Sequence, residues 1–159
     1  MARKRRKRVS RAVPAKGRLR DLADQLWSLA VKEDWASACA MCGSRMSLNS
    51  HHLIPRRHEA TRYLLTNGCC LCSHCHQFCP LRSPHQNAAG FMLWLEEHHP
   101  QLHEWYTQKI ESGLQRKFDG TVNAAYFCGI IRRLRNYVEE EDYVRVVGVK
   151  FSQWLEGNE

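Results

Sequence analysis

Two Cys-x-x-Cys pairs bracket a short run of the chain: Cys39-Ala-Met-Cys42 and Cys72-Ser-His-Cys75. Between and just after them lie His51, His52, Asn67 and His76. Four thiolates from two such turns close a tetrahedral zinc site, and zinc held this way contributes roughly 10–16 kcal/mol of apparent binding free energy coupled to folding. Gly43, after the first pair, eases the turn that aims backbone N–H groups at sulfur. Cys69-x-x-Cys72 is a competing pair; choosing Cys72/Cys75 leaves Cys69 and Cys70 to a preceding strand. Cys70, Cys79 and Cys128 read as small buried apolar residues. Cys72-x-x-Cys75-His76 also matches a c-type haem attachment pattern, but that reading needs export and leaves Cys39 and Cys42 idle. A disulfide framework fits poorly, because seven of the eight cysteines fall between Cys39 and Cys79 and no secretory leader is expected.

Such a set of imidazoles would suit hydrolysis. Cleaving a phosphodiester requires a proton to leave the attacking water and negative charge to be neutralised at the phosphoryl group. An imidazole with a pKa near 6.5 suits the first task, and a divalent cation suits the second. Adjacent strand residues point to opposite faces, so His51 and His52 can divide these tasks only where a strand twists or ends.

The elements that must position these groups are short. Leu19, Leu22, Leu26 and Leu29, widened by Trp27 and Ala30, predict an amphipathic helix packed on the metal-bearing region. "HHLIP" reads as a brief strand entering a loop and "RRHEATRY" as loop. Asn67-Gly68 signals a tight turn, and "CCLC" a second short strand. A helix starting near Ser73 should carry His76. Beyond Pro80 and Pro84, helices are expected over 87–98, after Pro100, and over about 121–138. "YVRVVGVKF", residues 143–151, is Val-rich and reads as a strand or extended tail. Trp94 and Trp105 read as core packing, His58 and His74 as solvent-facing, and His98, His99 and His103 as lying outside any active site.

Charge is concentrated in an arm. Arg3, Lys4, Arg5, Arg6, Lys7 and Arg8 form an unbroken run, and no acid appears before Asp21. The first twenty residues carry +10 of a net +8, so the remaining 139 carry −2. Such an arm suits a polyanion, because each neutralised phosphate releases condensed counterions. Nucleic acid is therefore an expected partner, against a solubilising tail or an arm for another acidic partner, and one or more of Arg56, Arg57 and Arg62 in the loop between the strands would add phosphate contacts, against a merely solvated loop. No apolar run approaches the roughly 18 residues that a membrane span needs, so a soluble, cytoplasmic protein is expected.

"S-H-H-L-I-P-R … T-N-G-C-C-L-C-S-H-C-H" resembles the HNH endonuclease family, and more closely its zinc-stapled members encoded by bacteriophages. The resemblance covers about residues 39–80, with a weaker likeness through "SPHQNAAGFMLWLEEHHP". It implies an α+β fold: a ββα-metal core with a structural four-cysteine zinc site, flanked by helices. Outside the matched stretch, composition and periodicity set the expected organisation: a disordered basic arm at 1–17, a nuclease domain with flanking helices at 18–110 and a C-terminal helical extension at 111–159, the arm and the extension lying beyond the resemblance. In the family's pattern His52 matches the general base and His51 the first metal ligand, a position where many relatives have Asp. His76 matches the second metal ligand, and Asn67 the residue that holds the loop and orients the base.

The sequence departs from that pattern in two places. Some relatives supply a further ligand one helical turn after His76, but that position is Pro80; His85 or Asn87 is then a candidate to complete the shell, the alternative being water or a substrate oxygen in the open positions. His at 51 softens the site, so Mn²⁺, Ni²⁺ or Zn²⁺ should bind better than Mg²⁺, although Mg²⁺ is the more available ion. The resemblance implies metal-dependent cutting or nicking of DNA in the host cytoplasm, in phage DNA processing, packaging or recombination, with packaging or recombination proteins as possible partners. The alternative is a non-catalytic zinc-stabilised module that binds DNA or an assembly protein.

Overall fold

The computed structural model describes residues 13–113, 118 and 120–158. The basic run Arg3–Arg8 lies outside the described residues. The chain begins with α1 (Lys16–Asp34), so Lys16 and Gly17, expected in the arm, open a helix instead. Leu19, Leu22, Ala23, Leu26, Trp27, Ala30 and Val31 alternate three- and one-residue steps and are all buried. This is the stripe of a helix that covers a core.

Strand β1 (Leu48–His52) pairs antiparallel with β2 (Gly68–Cys72), with His51 opposite Cys69 and His52 opposite Gly68. The segment between them is more ordered than the sequence suggested. It holds one turn of helix, α2 (Glu59–Arg62), followed by a 3₁₀ turn over Leu65–Asn67. Asn67-Gly68 is therefore not a two-residue hairpin turn; Gly68 already begins β2. A Cβ on Gly68 would overlap the Val31 side chain, so glycine is what lets α1 lie against the strand at the residue paired with His52.

Helix α3 (Ala88–His98) follows, with Asn87 capping it by accepting a hydrogen bond from Gly90 N. Helix α4 (Pro100–Glu111) starts with proline at its first position, where no N–H is needed. Then come α5 (Ala124–Arg135), α6 (Glu140–Val147) and α7 (Val149–Glu156). The last two correct the reading of 143–151 as a strand or tail. Valine favours strands, but Tyr143, Val147, Phe151 and Leu155 recur every four residues and are all buried. That period fits a helix, and Gly148, at φ +87°, breaks it into two.

Among the described residues the architecture is α+β, with one two-stranded sheet set between two cores. The first core joins α1 to α5, α6 and α7 and reaches Tyr63 and Cys70. The second gathers Cys39, Leu53, Cys69, Leu71, Cys72, Cys75 and the α3 residues Phe91, Trp94 and Leu95. Alternation along β2 decides this: Cys70 faces one core, and Cys69 and Leu71 the other. Full burial of a Leu, Ile or Phe side chain contributes about 1.5–3 kcal/mol, so each core is an independent source of stability. Among the described residues, no helix is long and apolar enough to cross a membrane.

Candidate functional site

Cys39, Cys42, Cys72 and Cys75 bring their sulfurs within 4.8 Å of one another. The Cys42 and Cys72 sulfurs are 3.7 Å apart. Two sulfurs sharing a tetrahedral zinc at about 2.3 Å stand roughly 3.8 Å apart, so the spacing fits that ion. Gly43, at φ +71°, turns the chain after the first pair, and its N–H donates to the Cys39 carbonyl at 2.8 Å. Burial raises the Cys39 thiol pKa, but hydrogen bonds from the Cys72, Cys42 and Met41 backbone outweigh it and bring the value down to about 7. The Cys75 thiol is pushed up, first by burial and then by the neighbouring sulfurs. Four thiolates this close need a cation before all can ionise. Cys69 lies outside the cluster, in the second core, so the preferred pairing is the one the fold assembles.

The expected helix carrying His76 is only a single π-type turn, His74–Phe78. Its Cys75 faces the sulfur cluster, while His76 joins a second one. There the ligand nitrogens of His51, His76 and His85 lie within 4.8 Å of one another. His76 Nε2 is 3.2 Å from His51 Nδ1 and also 3.2 Å from His85 Nε2. One imidazole nitrogen has a single lone pair or a single proton, so hydrogen bonding cannot satisfy both contacts well. A shared divalent ion can: nitrogens at about 2.0–2.1 Å from one ion stand roughly 3.0–3.4 Å apart. Burial, then the charges of His76, His85 and His52, pushes His51 down to about 3. Burial, then His85, lowers His76. Both rings therefore keep a lone pair free at neutral pH. The ring of Phe91, edge-on to His51 at 5.4 Å between centroids, closes the apolar side.

Of the two residues offered for the third position, only His85 arrives. Asn87 is committed as the α3 cap and donates from Nδ2 to the Leu81 carbonyl.

His52 faces the other way, towards α1. Its ring stacks on Trp27 with centroids 3.7 Å apart. Its Nε2 lies 3.0 Å from the Arg62 carbonyl oxygen. A carbonyl only accepts, so Nε2 carries the proton and Nδ1 carries the lone pair. Burial pushes the pKa down to about 4; the Arg62 carbonyl opposes this and the Arg62 guanidinium adds to it. His52 is the last residue of β1.

Asn67 sets the loop that presents that carbonyl. Its side chain is fully buried, Oδ1 accepts from Ile54 N at 2.7 Å, and Nδ2 donates to Ile54 O at 3.0 Å and Thr61 O at 3.1 Å. Only this amide orientation satisfies all three partners.

Arg62, expected to grip phosphate, is instead buried and structural. Its Nε and Nη2 bond both Asp24 carboxylate oxygens, at 3.0 and 2.6 Å, and Nη1 donates to Arg56 O. Arg56 and Arg57 are exposed on the same loop.

The sequence reading passed over the contribution of α1 to this site. Asp24, Trp27 and Ser28, at helical spacing i, i+3 and i+4, form one supporting face. Trp27 also donates from Nε1 to Leu64 O at 3.0 Å, and Ser28 Oγ lies 3.1 Å from Ser50 Oγ. The available signal was an acid and a serine set into an otherwise apolar stripe. Ser83 was also missed, with no local signal to mark it.

No family model, curated protein or solved structure matches this chain.

Proposed function

We propose that the chain is a metal-dependent endonuclease of the HNH type that hydrolyses DNA phosphodiester bonds. The observation that carries this reading is the arrangement on β1. His52 is a neutral imidazole with a fixed tautomer and a bare Nδ1, and its neighbour His51 belongs to a cluster of three imidazoles suited to a divalent ion. Strand β1 supplies His51 and His52, the π turn supplies His76 and the loop after Pro80 supplies His85, an order compatible with a ββα-metal site.

In this reading His52 Nδ1 takes a proton from the attacking water as its oxygen bonds to phosphorus. The bond from phosphorus to the 3′ oxygen breaks, and that oxygen is protonated by solvent, leaving 5′-phosphate and 3′-hydroxyl ends. A divalent ion held by His51, His76 and His85 would neutralise charge on the phosphoryl group and the departing oxygen. Three imidazoles without a carboxylate favour Mn²⁺, Ni²⁺ or Zn²⁺ over Mg²⁺. Asn67 and Asp24 act by holding the loop whose Arg62 carbonyl fixes His52. The basic arm and exposed Arg56 and Arg57 supply phosphate contacts, and DNA processing in a phage cycle is the biological setting.

The test is cleavage of supercoiled plasmid with Mn²⁺ or Mg²⁺, with and without chelator. His52→Ala should lower the rate by about 10²–10⁴-fold, the range for losing a positioned base, while keeping its zinc. Equal cutting by the variant under matched conditions would rule out His52 as the base. Binding of DNA without any cutting would support the non-catalytic module instead.

A further inference from the structure

The third imidazole of the cluster does not come from a helix. It comes from the loop after Pro80, and an exposed loop histidine has many rotamers open to it unless its backbone is fixed. Gln86 Nε2 ties the loop to the Gln77 carbonyl and Asn87 Nδ2 to the Leu81 carbonyl, but the side chain that reaches the backbones of both His76 and His85 is Ser83. Ser83 is fully buried, and its hydroxyl donates to the His76 carbonyl at 2.8 Å. The same oxygen accepts from His85 N at 3.1 Å and from Gln86 N at 3.3 Å. A serine hydroxyl offers one donor and two acceptor positions, and all three are used.

The rest of the loop is tied down to match. Ser83 N donates to Cys79 O at 3.0 Å, and Asn87 N to Ser83 O at 2.8 Å. A Cβ on Gly90 would collide with the Leu81 carbonyl, so the loop lies directly on the first turn of α3. The hydroxyl of Ser83 therefore joins the backbone of two residues whose imidazole nitrogens are 3.2 Å apart.

We infer that Ser83 is the positioning residue that makes His85 a metal ligand, replacing the helical turn that Pro80 interrupts. It touches neither ion nor substrate. It acts by setting the distance between the His76 and His85 backbones, much as outer hydrogen-bond partners of metal ligands tune affinity by about 10–100-fold. The inference rests on reading the three histidines as a metal centre, and not on what that centre cleaves.

The experiment is Mn²⁺ binding to the zinc-loaded full chain, followed by the electron paramagnetic resonance signal of the free ion. The variants are Ser83→Ala, His85→Ala and the double variant. Ser83→Ala should weaken Mn²⁺ binding by about 10-fold or more with zinc content unchanged. The double variant should bind no more weakly than His85→Ala alone, because Ser83 acts through His85. Unchanged affinity in Ser83→Ala, or losses that multiply in the double variant, would overturn the inference. Absence of Mn²⁺ binding by the wild-type chain would overturn both the inference and the metal-centre reading. Should Ser83→Ala lose zinc, Ser83→Cys takes its place, since it fills the space but hydrogen-bonds weakly, and the same expectations apply.

Discussion

Replacing Asn67 by alanine tests the loop that holds His52. The native side chain satisfies three buried backbone groups: Ile54 N–H, Ile54 C=O and Thr61 C=O. An orphaned buried donor costs about 1–3 kcal/mol, and a carbonyl with a spare lone pair costs less. Partial relaxation and entry of water reduce the sum, so a loss of about 3 kcal/mol is expected. Total stabilities lie near 5–15 kcal/mol, so the variant should still fold while a large share of its margin is gone. Asn67→Asp keeps the acceptor for Ile54 N–H but sets a carboxylate against two carbonyl oxygens, and should be at least as damaging. Urea unfolding of zinc-loaded protein measures the loss, and hydrogen exchange at the Ile54 amide locates it. Plasmid cleavage should fall in parallel, because the Arg62 carbonyl is no longer held against His52. A loss below about 0.5 kcal/mol, with Ile54 still protected, would refute the role given to this amide.

Elemental analysis after desalting should find one zinc per chain at the four cysteines, and Cys42→Ser should lose it together with cooperative unfolding; zinc retained in the variant would count against the site. Asp24→Asn removes the charge facing Arg62, and because the Asp24 side chain is 36% exposed the expected loss is only about 1–2 kcal/mol. A urea midpoint unmoved by that change would show that the pair does not hold the loop. His99 is half-buried between Trp35 and Trp94, and burial, then the His98 charge, lowers its pKa below the usual 6.5. The unfolded chain then binds the proton more readily, so its contribution to stability is full above pH 6.5 and fades as pH falls through the lowered value. An NMR titration midpoint for His99 at or above 6.5 would contradict this burial.

The legible parts of the site were those set by local spacing. Cys-x-x-Cys pairs, the strand carrying Cys69–Cys72 and the helical stripe of α1 each follow from a few neighbouring residues. Pro80 stands where a helical ligand was sought, and of the two candidates in its place His85 joins the cluster. What could not be read depends on contacts across long stretches of chain. Arg62 looked like a phosphate contact because nothing near it in sequence announces Asp24, thirty-eight positions away. Residues 143–151 looked extended because valine propensity outweighed the four-residue spacing of Tyr143, Val147 and Phe151. Burial against α1 reverses that order. Ser83 gives no signal at all until the His76 carbonyl and the His85 amide converge on it.

The sheet between the two cores has a consequence for how freely the rest of the molecule can vary. His52 is supported by one core and His51 by the other, yet they are joined by one peptide unit, about 3.8 Å from Cα to Cα. The strand is thus a spacer of fixed length. Either core can breathe with temperature, or be rebuilt over generations of mutation, without widening the gap between the two imidazole attachment points. The covalent chain, not the packing of either core, sets that distance.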